Sequence, residues 1–302
     1  MSDLLFNTAQ KDNGLRQPRI ANTIPSLIKW TGSKRSQAKS IAQIVPPYKR
    51  YIEPFVGGGA MLYLLGHPGA IANDIYTPLV DLWRLVRDDP TSLISAYATE
   101  WKRLNEELSV VDVASMTRGN GIPRVFYEIR DRFNDAPNAI DLNFLMRTCV
   151  NGIVRFNDKG HFNNSFHLSR RGMMPARFDA TVKAWHPVLQ GVDLLNDDYK
   201  NILSQATEGD FVYLDPPYAG TKQRYSSLLE PDELFGELEK LNSRGVLWAL
   251  SFDGKRGNTD MTHNVPAELF MNHVYLHSGN SAIKKVLNGP IEKVEETLYL
   301  NY

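Results

Sequence analysis

Three short stretches of the 302-residue chain carry residue types that could do chemistry. In the sharpest, Asp215-Pro216-Pro217-Tyr218 follows the apolar run Phe211–Leu214. Prolines donate no ladder hydrogen bonds, so a buried-type strand must end there with backbone carbonyls left unpaired. In open α/β sheets that carboxyl end is where ligands sit. A carboxylate, carbonyl acceptors and an aromatic face then converge on one turn. A planar base bearing an exocyclic amine needs that set: Asp215 and the Pro216 carbonyl would each accept one N–H, and Tyr218 would stack on the ring. The plainer alternative is a stiff turn with a capping aspartate.

The second stretch is Val56-Gly57-Gly58-Gly59, between a short run flanked by Ile52 and Phe55 and the helical pattern Ala60–Leu65. Glycines between strand and helix let a ligand approach the backbone, and the helix start offers free N–H groups. Asp74 ends the next short run, Gly69–Asp74, where a nucleoside-binding α/β site places an acid for a ribose diol. A glycine turn of this kind is often only a tight turn. The third stretch, Arg147–Arg177, holds six bases (Arg147, Arg155, Lys159, Arg170, Arg171, Arg177) against one acid, Asp158, a net of +5. The whole chain balances 34 bases with 34 acids, so the rest must sum to −5. A basic segment in a neutral protein suits a phosphate-tracking surface, or a merely solvated face.

The elements that position these residues follow from period and punctuation. Thr77-Pro78 reads as a cap and first-turn proline, with Leu79, Leu82, Trp83 and Val86 on one helix face. Pro90 stops that helix and Thr91 caps the next, which carries Leu93, Tyr97, Trp101, Leu104 and Leu108. From about Ser109 to Trp185 the periodicity weakens. Helices are predicted near Phe126–Phe133 and Asn143–Val150, and a hairpin over Phe156–Phe162 turning at Asn157–Gly160. The α/β pattern then returns: the strand Phe211–Leu214, a helix over Glu230–Arg244 stopped by Gly245, the strand Val246–Ser251, and a closing pair at His273–Leu276 and Glu296–Leu300. Alternating strands and helices imply a mostly parallel, doubly wound sheet. The expected organisation is a tail at 1–27, a catalytic domain at 28–108 and 186–302, and an inserted, mainly helical recognition subdomain at 109–185.

Composition narrows the function classes. The single cysteine, Cys149, allows no internal disulfide and no zinc-type spacing, so no metal is expected. A bilayer span needs about 20 apolar residues, and the most apolar run, Phe55–Gly66, is short and glycine-rich. Residues 1–26 lack an apolar signal core, so a cytoplasmic location without membrane contact is expected.

The motifs together resemble the Dam-type family of DNA adenine-N6 methyltransferases. Lys29-Trp30-Thr31-Gly32-Ser33-Lys34 is similar to the family's Lys-Trp-x-Gly-Gly-Lys, with Ser33 for the second glycine. Glu53-Pro54-Phe55-Val56-Gly57-Gly58-Gly59 is similar to its Glu-Pro-Phe-x-Gly-x-Gly loop, and Asn73-Asp74 to the Asn-Asp ending its second strand. Asn151-Gly152-x-x-Arg155-Phe156-Asn157 with Gly160-x-Phe162-Asn163 resembles its recognition hairpin, and Asp215–Tyr218 its catalytic tetrapeptide. They occur in the family's order from Ile28 onward. Val150 stands where some relatives carry an aromatic wedge.

The resemblance implies a Rossmann-like sheet and S-adenosylmethionine as cofactor. Trp30, Lys34, Asp74 and Asp215 would line the cofactor pocket, with Phe55, Gly57 and Gly59 at its glycine loop. Asp198, or the equally placed Asp197, would meet the adenine. Double-stranded DNA would be the partner of Asn151, Arg155, Asn157, Lys159, Arg170 and Arg171, and Phe156, Phe162 and Phe166 would suit grooves or stacked bases. Base flipping would deliver the adenine to Asp215–Tyr218, at a cost of a few kcal/mol. The chain is expected to act as a monomer, with Cys149 a buried structural thiol rather than a nucleophile. Cytosine-N4 or RNA adenine methylation, and an inactive DNA-binding relative, are the competing functions.

Overall fold

A computed structural model describes residues 14–112, 116, 120–217, 229–252, 255–256, 259–260, 265–278 and 294–302. Five parallel strands form the centre of its sheet: β1 (Tyr51–Glu53), β2 (Ile71–Asn73), β3 (Asp193–Leu195), β4 (Phe211–Leu214) and β5 (Leu247–Phe252). Two short strands, β6 (Lys255–Arg256) and β7 (Thr259–Asp260), follow, then β8 (Asn272–Ser278) and β9 (Val294–Leu300). The order is β3-β2-β1-β4-β5-β9, with antiparallel β9 also pairing β8 and β6. The order reverses at β1, which lies between β2 and β4, so the carboxyl ends of these three strands frame the crevice of a topological switch point.

The helices in chain order are α1 (Ala38–Ile44), α2 (Ala60–Leu65), α3 (Thr77–Asp88), α4 (Pro90–Val110), α5 (Arg124–Asp135), α6 (Ala139–Thr148), α7 (Pro175–Trp185), α8 (Tyr199–Ser204) and α9 (Pro231–Ser243). Side chains alternate across the sheet as the two-residue period requires. Tyr51, Phe211, Tyr213 and Ala249 join one core with α1–α7, while Ile52, Val212, Leu214, Trp248 and Leu250 join a second with Ile202, Leu203, Leu234, Leu238 and Leu241. This is the doubly wound arrangement read from the pattern. The helical segment between β2 and β3 shares the first core: Leu142, Phe144 and Phe178 are buried in the same cluster as Leu79, Leu82 and Trp83.

Two helix starts correct the sequence reading. Tyr76, not Thr77, is the α3 N-cap, and Thr77 instead donates to Asn196 Oδ1 at 2.8 Å. Pro90 begins α4 rather than ending α3, because Asp89 caps it by accepting from the Ser92 amide at 3.1 Å. Asparagine and aspartate outrank threonine as caps, and proline fits the first turn. The predicted hairpin folds as a tight turn. Phe156 and Phe162 form one antiparallel bridge, and the Gly160 amide donates to the Asn157 carbonyl at 2.9 Å. Among the described residues, no helix is long and apolar enough to cross a membrane.

Candidate active site

The glycine turn leaves β1 in a conformation few residues can adopt. Gly57 and Gly59 hold φ of 43° and 67°. A Cβ on Gly57 would stand 2.9 Å from Trp30 Cδ1, so the indole lies against the turn only because that side chain is missing. Gly59 answers to packing instead: its Cβ would meet Trp83 Cζ2 at 2.7 Å. Trp83 in turn donates from Nε1 to the Gly57 carbonyl at 3.2 Å.

Asp74 sits directly across from this turn. Its Oδ2 accepts from the Gly57 amide at 3.2 Å and its Oδ1 from the Tyr76 amide at 3.1 Å. Burial pushes its pKa up to about 6, although the amides of Tyr76, Gly57 and Ile75 oppose the rise. Each carboxylate oxygen retains lone-pair capacity for a further donor. Asn73 staples the crevice rim: its Nδ2 donates to the Pro54 and Asp197 carbonyls at 3.0 Å each, and its Oδ1 accepts from the Asp197 amide at 2.9 Å. Asp197 and Asp198 are both exposed. Asp198 caps α8 by accepting from the Lys200 amide at 2.8 Å, and Asp197 Oδ1 accepts from the Asp198 amide and Asn201 Nδ2. Phe55 is half-buried against Tyr199, ring centroids 5.3 Å apart, and among the described residues the buried Tyr199 hydroxyl has no hydrogen-bond partner.

At the end of β4, Asp215 Oδ1 lies 2.8 Å from Lys34 Nζ, the two side chains 19% and 3% exposed. A nearly buried ion pair holds both geometry and charge, since removing either partner strands the other in low dielectric. Pro216 is buried and Pro217 half-buried, while Tyr218 lies outside the described residues. Among the described residues, no backbone amide reaches the Pro216 carbonyl. Trp30, Lys34, Phe55, Gly57, Asp74 and Asp215 are thus drawn from sequence-distant motifs to the carboxyl ends of the central strands.

The basic segment divides. Arg155, Lys159, Arg170, Arg171 and Arg177 are exposed, as are Asn151 and Asn157. Arg155 is held by Asn163, donating from Nε to its Oδ1 at 2.8 Å and from Nη2 to its carbonyl at 3.3 Å. Asn157 spends its Oδ1 on the amides of Lys159 and His161, at 3.0 Å each. Asn151 stands at φ 59°, on a loop held by Asn164 Nδ2, which donates to the Val150 and Ile153 carbonyls at 2.9 Å each. Three residues depart from the expected surface. Arg147 is buried in α6, and Phe162 and Phe166 are each 1% exposed in the core. The two rings pack against Phe133 and Phe126, which leaves half-buried Phe156 as the ring nearest solvent in this group. Cys149 is buried, and its thiol is pushed up to about 12 by desolvation, as an inert structural cysteine requires.

Sequence reasoning missed Asn73 as a staple, Tyr76 as a bridge between Trp30 and Phe156, and Tyr199. For Tyr76 the signal was present: it follows Asp74 by two positions, and its ring meets Trp30 at 6.0 Å and Phe156 at 5.7 Å. Among the described residues, no group of three His, Cys, Asp or Glu could hold a metal.

The sheet order and the acid-glycine-acid crevice at its switch point define a Rossmann-like, doubly wound α/β fold. Comparison with known proteins sharpens this. The profile of the D12 class N6 adenine-specific DNA methyltransferases matches residues 30–285. The chain is 28% identical to a type II methyltransferase of Lactococcus lactis subsp. cremoris, over 74% of this chain and 79% of that one. It is 31% identical to a type II methyltransferase of Methanocaldococcus jannaschii, covering 65% and 69%, and 27% identical to a DNA adenine methylase of Vibrio cholerae, covering 64% and 65%. The chain belongs to the D12 class of N6 adenine-specific DNA methyltransferases.

Proposed function

We propose that this protein transfers a methyl group from S-adenosylmethionine to the exocyclic amine of an adenine flipped out of double-stranded DNA, at a specific sequence. The observation that carries the reading is the meeting of the Lys34–Asp215 pair with the Gly57 turn and Asp74 at one switch point. The residues present fit the cofactor. The Cβ-free Gly57 turn beneath Trp30, the carboxylate of Asp74 and the Tyr199 hydroxyl, without a partner among the described residues, offer a closely approachable backbone, an acceptor for a diol and a spare polar atom. When bound, S-adenosylmethionine supplies an activated sulfonium methyl, so the protein's task is mainly positioning.

Asp74 would accept from the ribose diol, with Trp30 and Phe55 flanking and Asp198 at the adenine end. Lys34, bonded to Oδ1, would orient Asp215, whose carboxylate would accept one N–H of the amine. The Pro216 carbonyl would accept the other, and Pro217 and Tyr218 would shape and stack the base site. Two such hydrogen bonds favour a pyramidal nitrogen with a localised lone pair, the form that attacks. Residues 109–185 would form the recognition subdomain, placed between the catalytic stretches 28–108 and 186–302. There Arg155 would read a base, Asn151, Asn157 and Lys159 would line the hairpin contact, and Arg170 and Arg171 would grip phosphates. The protein would act as a monomer without a metal. Mapping methylated adenines in DNA from cells expressing the chain tests this directly. Absence of N6-methyladenine, with purified protein also inactive on that DNA, overturns it.

A further inference from the structure

Arg147 is the most deeply buried cation in the basic segment, and the proposed chemistry makes no use of it. Its guanidinium donates from Nε to Asn143 Oδ1 at 3.0 Å and from Nη2 to the Leu27 carbonyl, 120 positions away in sequence. Nη1 points to Met173 Sδ at 3.7 Å, and the planar face lies over the Phe178 ring at 4.5 Å. Among the described residues, no carboxylate pairs with it. Desolvation lowers its pKa to about 10, which still leaves it charged at neutral pH. A buried ion without a counter-charge is costly, and an apolar side chain of similar volume would fill the space without that cost. What the apolar residue could not do is hold the Leu27 carbonyl.

That carbonyl begins an arm whose far end is the catalytic pair. Gly152, three residues after Cys149, packs so closely on Lys29 that a Cβ there would stand 2.9 Å from Lys29 Cδ. Trp30 covers Gly57, Ser33 Oγ lies 3.1 Å from where a Gly58 Cβ would stand, and Lys34 meets Asp215. Residues 27–34 therefore touch the loop that carries Asn151 at one end and the Asp215 carboxylate at the other. We propose that Arg147 is a positioning residue: it fixes the 27–34 arm to the helical segment, so that engagement of DNA by that segment sets the Lys34–Asp215 pair. The inference rests on the methyltransferase reading given above.

The test uses the full chain with Arg147→Lys and Arg147→Met. Lysine keeps the charge but has no planar fork to bond Asn143 and Leu27 together. Both variants should keep cofactor and DNA dissociation constants within about threefold of wild type. Their single-turnover methyl transfer at saturating DNA and cofactor should fall about tenfold or more, and the loss should be less than additive with Lys34→Gln, as coupled sites require. A wild-type rate at saturation overturns the proposal, as does a loss that only follows weakened cofactor binding, or strict additivity. Should both variants fail to fold, amide exchange in the wild type decides. Residues 28–34 should gain protection when target DNA binds, and unchanged protection there overturns the proposal. A wild-type protein inactive on DNA sinks the methyltransferase reading itself; an active one matched by Arg147→Lys sinks only the role of Arg147.

Discussion

The crevice at the ends of β1, β2 and β4 and the exposed turn at Asn157–Gly160 are built on opposite plans. In the crevice the backbone does most of the holding: amides of Gly57 and Tyr76 bind Asp74, and Asn73 ties two carbonyls and an amide across the rim. In the turn region Arg155 is held at the surface by a fork on Asn163, a neighbour eight positions on, while Asn157 is tied only to amides of its own turn. A backbone-built site is rigid before any ligand arrives, whereas an exposed side-chain fork is cheap to re-aim. Chemistry common to a family belongs on the first plan, and the choice of target sequence on the second.

If that contrast is right, substitutions should divide sharply by region. The largest effect belongs to Asp215→Ala, which strands Lys34 and removes the proposed acceptor for the reacting amine. Tritiated methyl transfer should drop by at least about a hundredfold to a thousandfold on every DNA sequence, the scale of losing one preorganised transition-state contact. A variant that loses activity on some sequences and keeps it on others would place Asp215 in recognition and break the comparison.

Asp74→Ala comes next. It removes a charged acceptor, worth about 1.5–3 kcal/mol, so calorimetry should find cofactor affinity down by roughly ten- to a hundredfold, with DNA binding unchanged. The pH dependence sharpens the point. With a folded-state pKa of about 6 against an ordinary 3.8, the native protein holds the Asp74 proton more tightly than the unfolded chain does. The group's contribution to stability is therefore greatest below the ordinary value and is lost as pH rises toward and through about 6. Keeping it ionised at neutral pH costs about 3 kcal/mol of folding stability, which the crevice accepts in order to present a carboxylate. Cofactor affinity should accordingly weaken as pH falls below about 6, and Asp74→Asn should flatten that dependence. An equally steep profile in Asp74→Asn would assign the titration elsewhere.

Arg155→Ala should act on choice rather than on chemistry. Nε and one Nη2 proton are committed to Asn163, which leaves the end-on edge of the guanidinium for a guanine. Its loss should cost about 1–3 kcal/mol on the target sequence and much less on single-base variants of it. A uniform slowing across such a panel would make Arg155 a phosphate clamp. The smallest effect belongs to Arg170→Ala, which should weaken all sequences alike and reduce the slope of log affinity against log salt by about one.

How much of this was legible in the sequence follows the same division. Phe211–Leu214 and Ala60–Leu65 fall where the pattern put them, because strand breakage by proline and glycine is a backbone property written in single residues. Asp74, Lys34 and Asp215 were found as members of motifs, but their mutual bonds were not, since an ion pair between positions 34 and 215 leaves no local trace. Phe162, Phe166 and Arg147 misled for a different reason. In a segment of weak periodicity, residue type alone does not separate an aromatic ring in the core from one awaiting a base, or a buried guanidinium from a surface one. The two cap errors, Thr77 for Tyr76 and Thr91 for Asp89, are shifts of one and two residues around a proline that fits either of the first helical positions.

The staple at Asn73 has a consequence for how the chain assembles. Its partner Asp197 lies 124 positions further on, and β2 pairs with β3 only after all of α3–α7 has been made. Loop closure of that length must be met before the parallel pairing rewards it. During synthesis the helical segment emerges first and has local contacts of its own, so it can collapse onto α3 while the edge of β2 waits. The crevice at the ends of β1, β2 and β4 is then among the last parts to form, closed by a strand that reaches it across α3–α7.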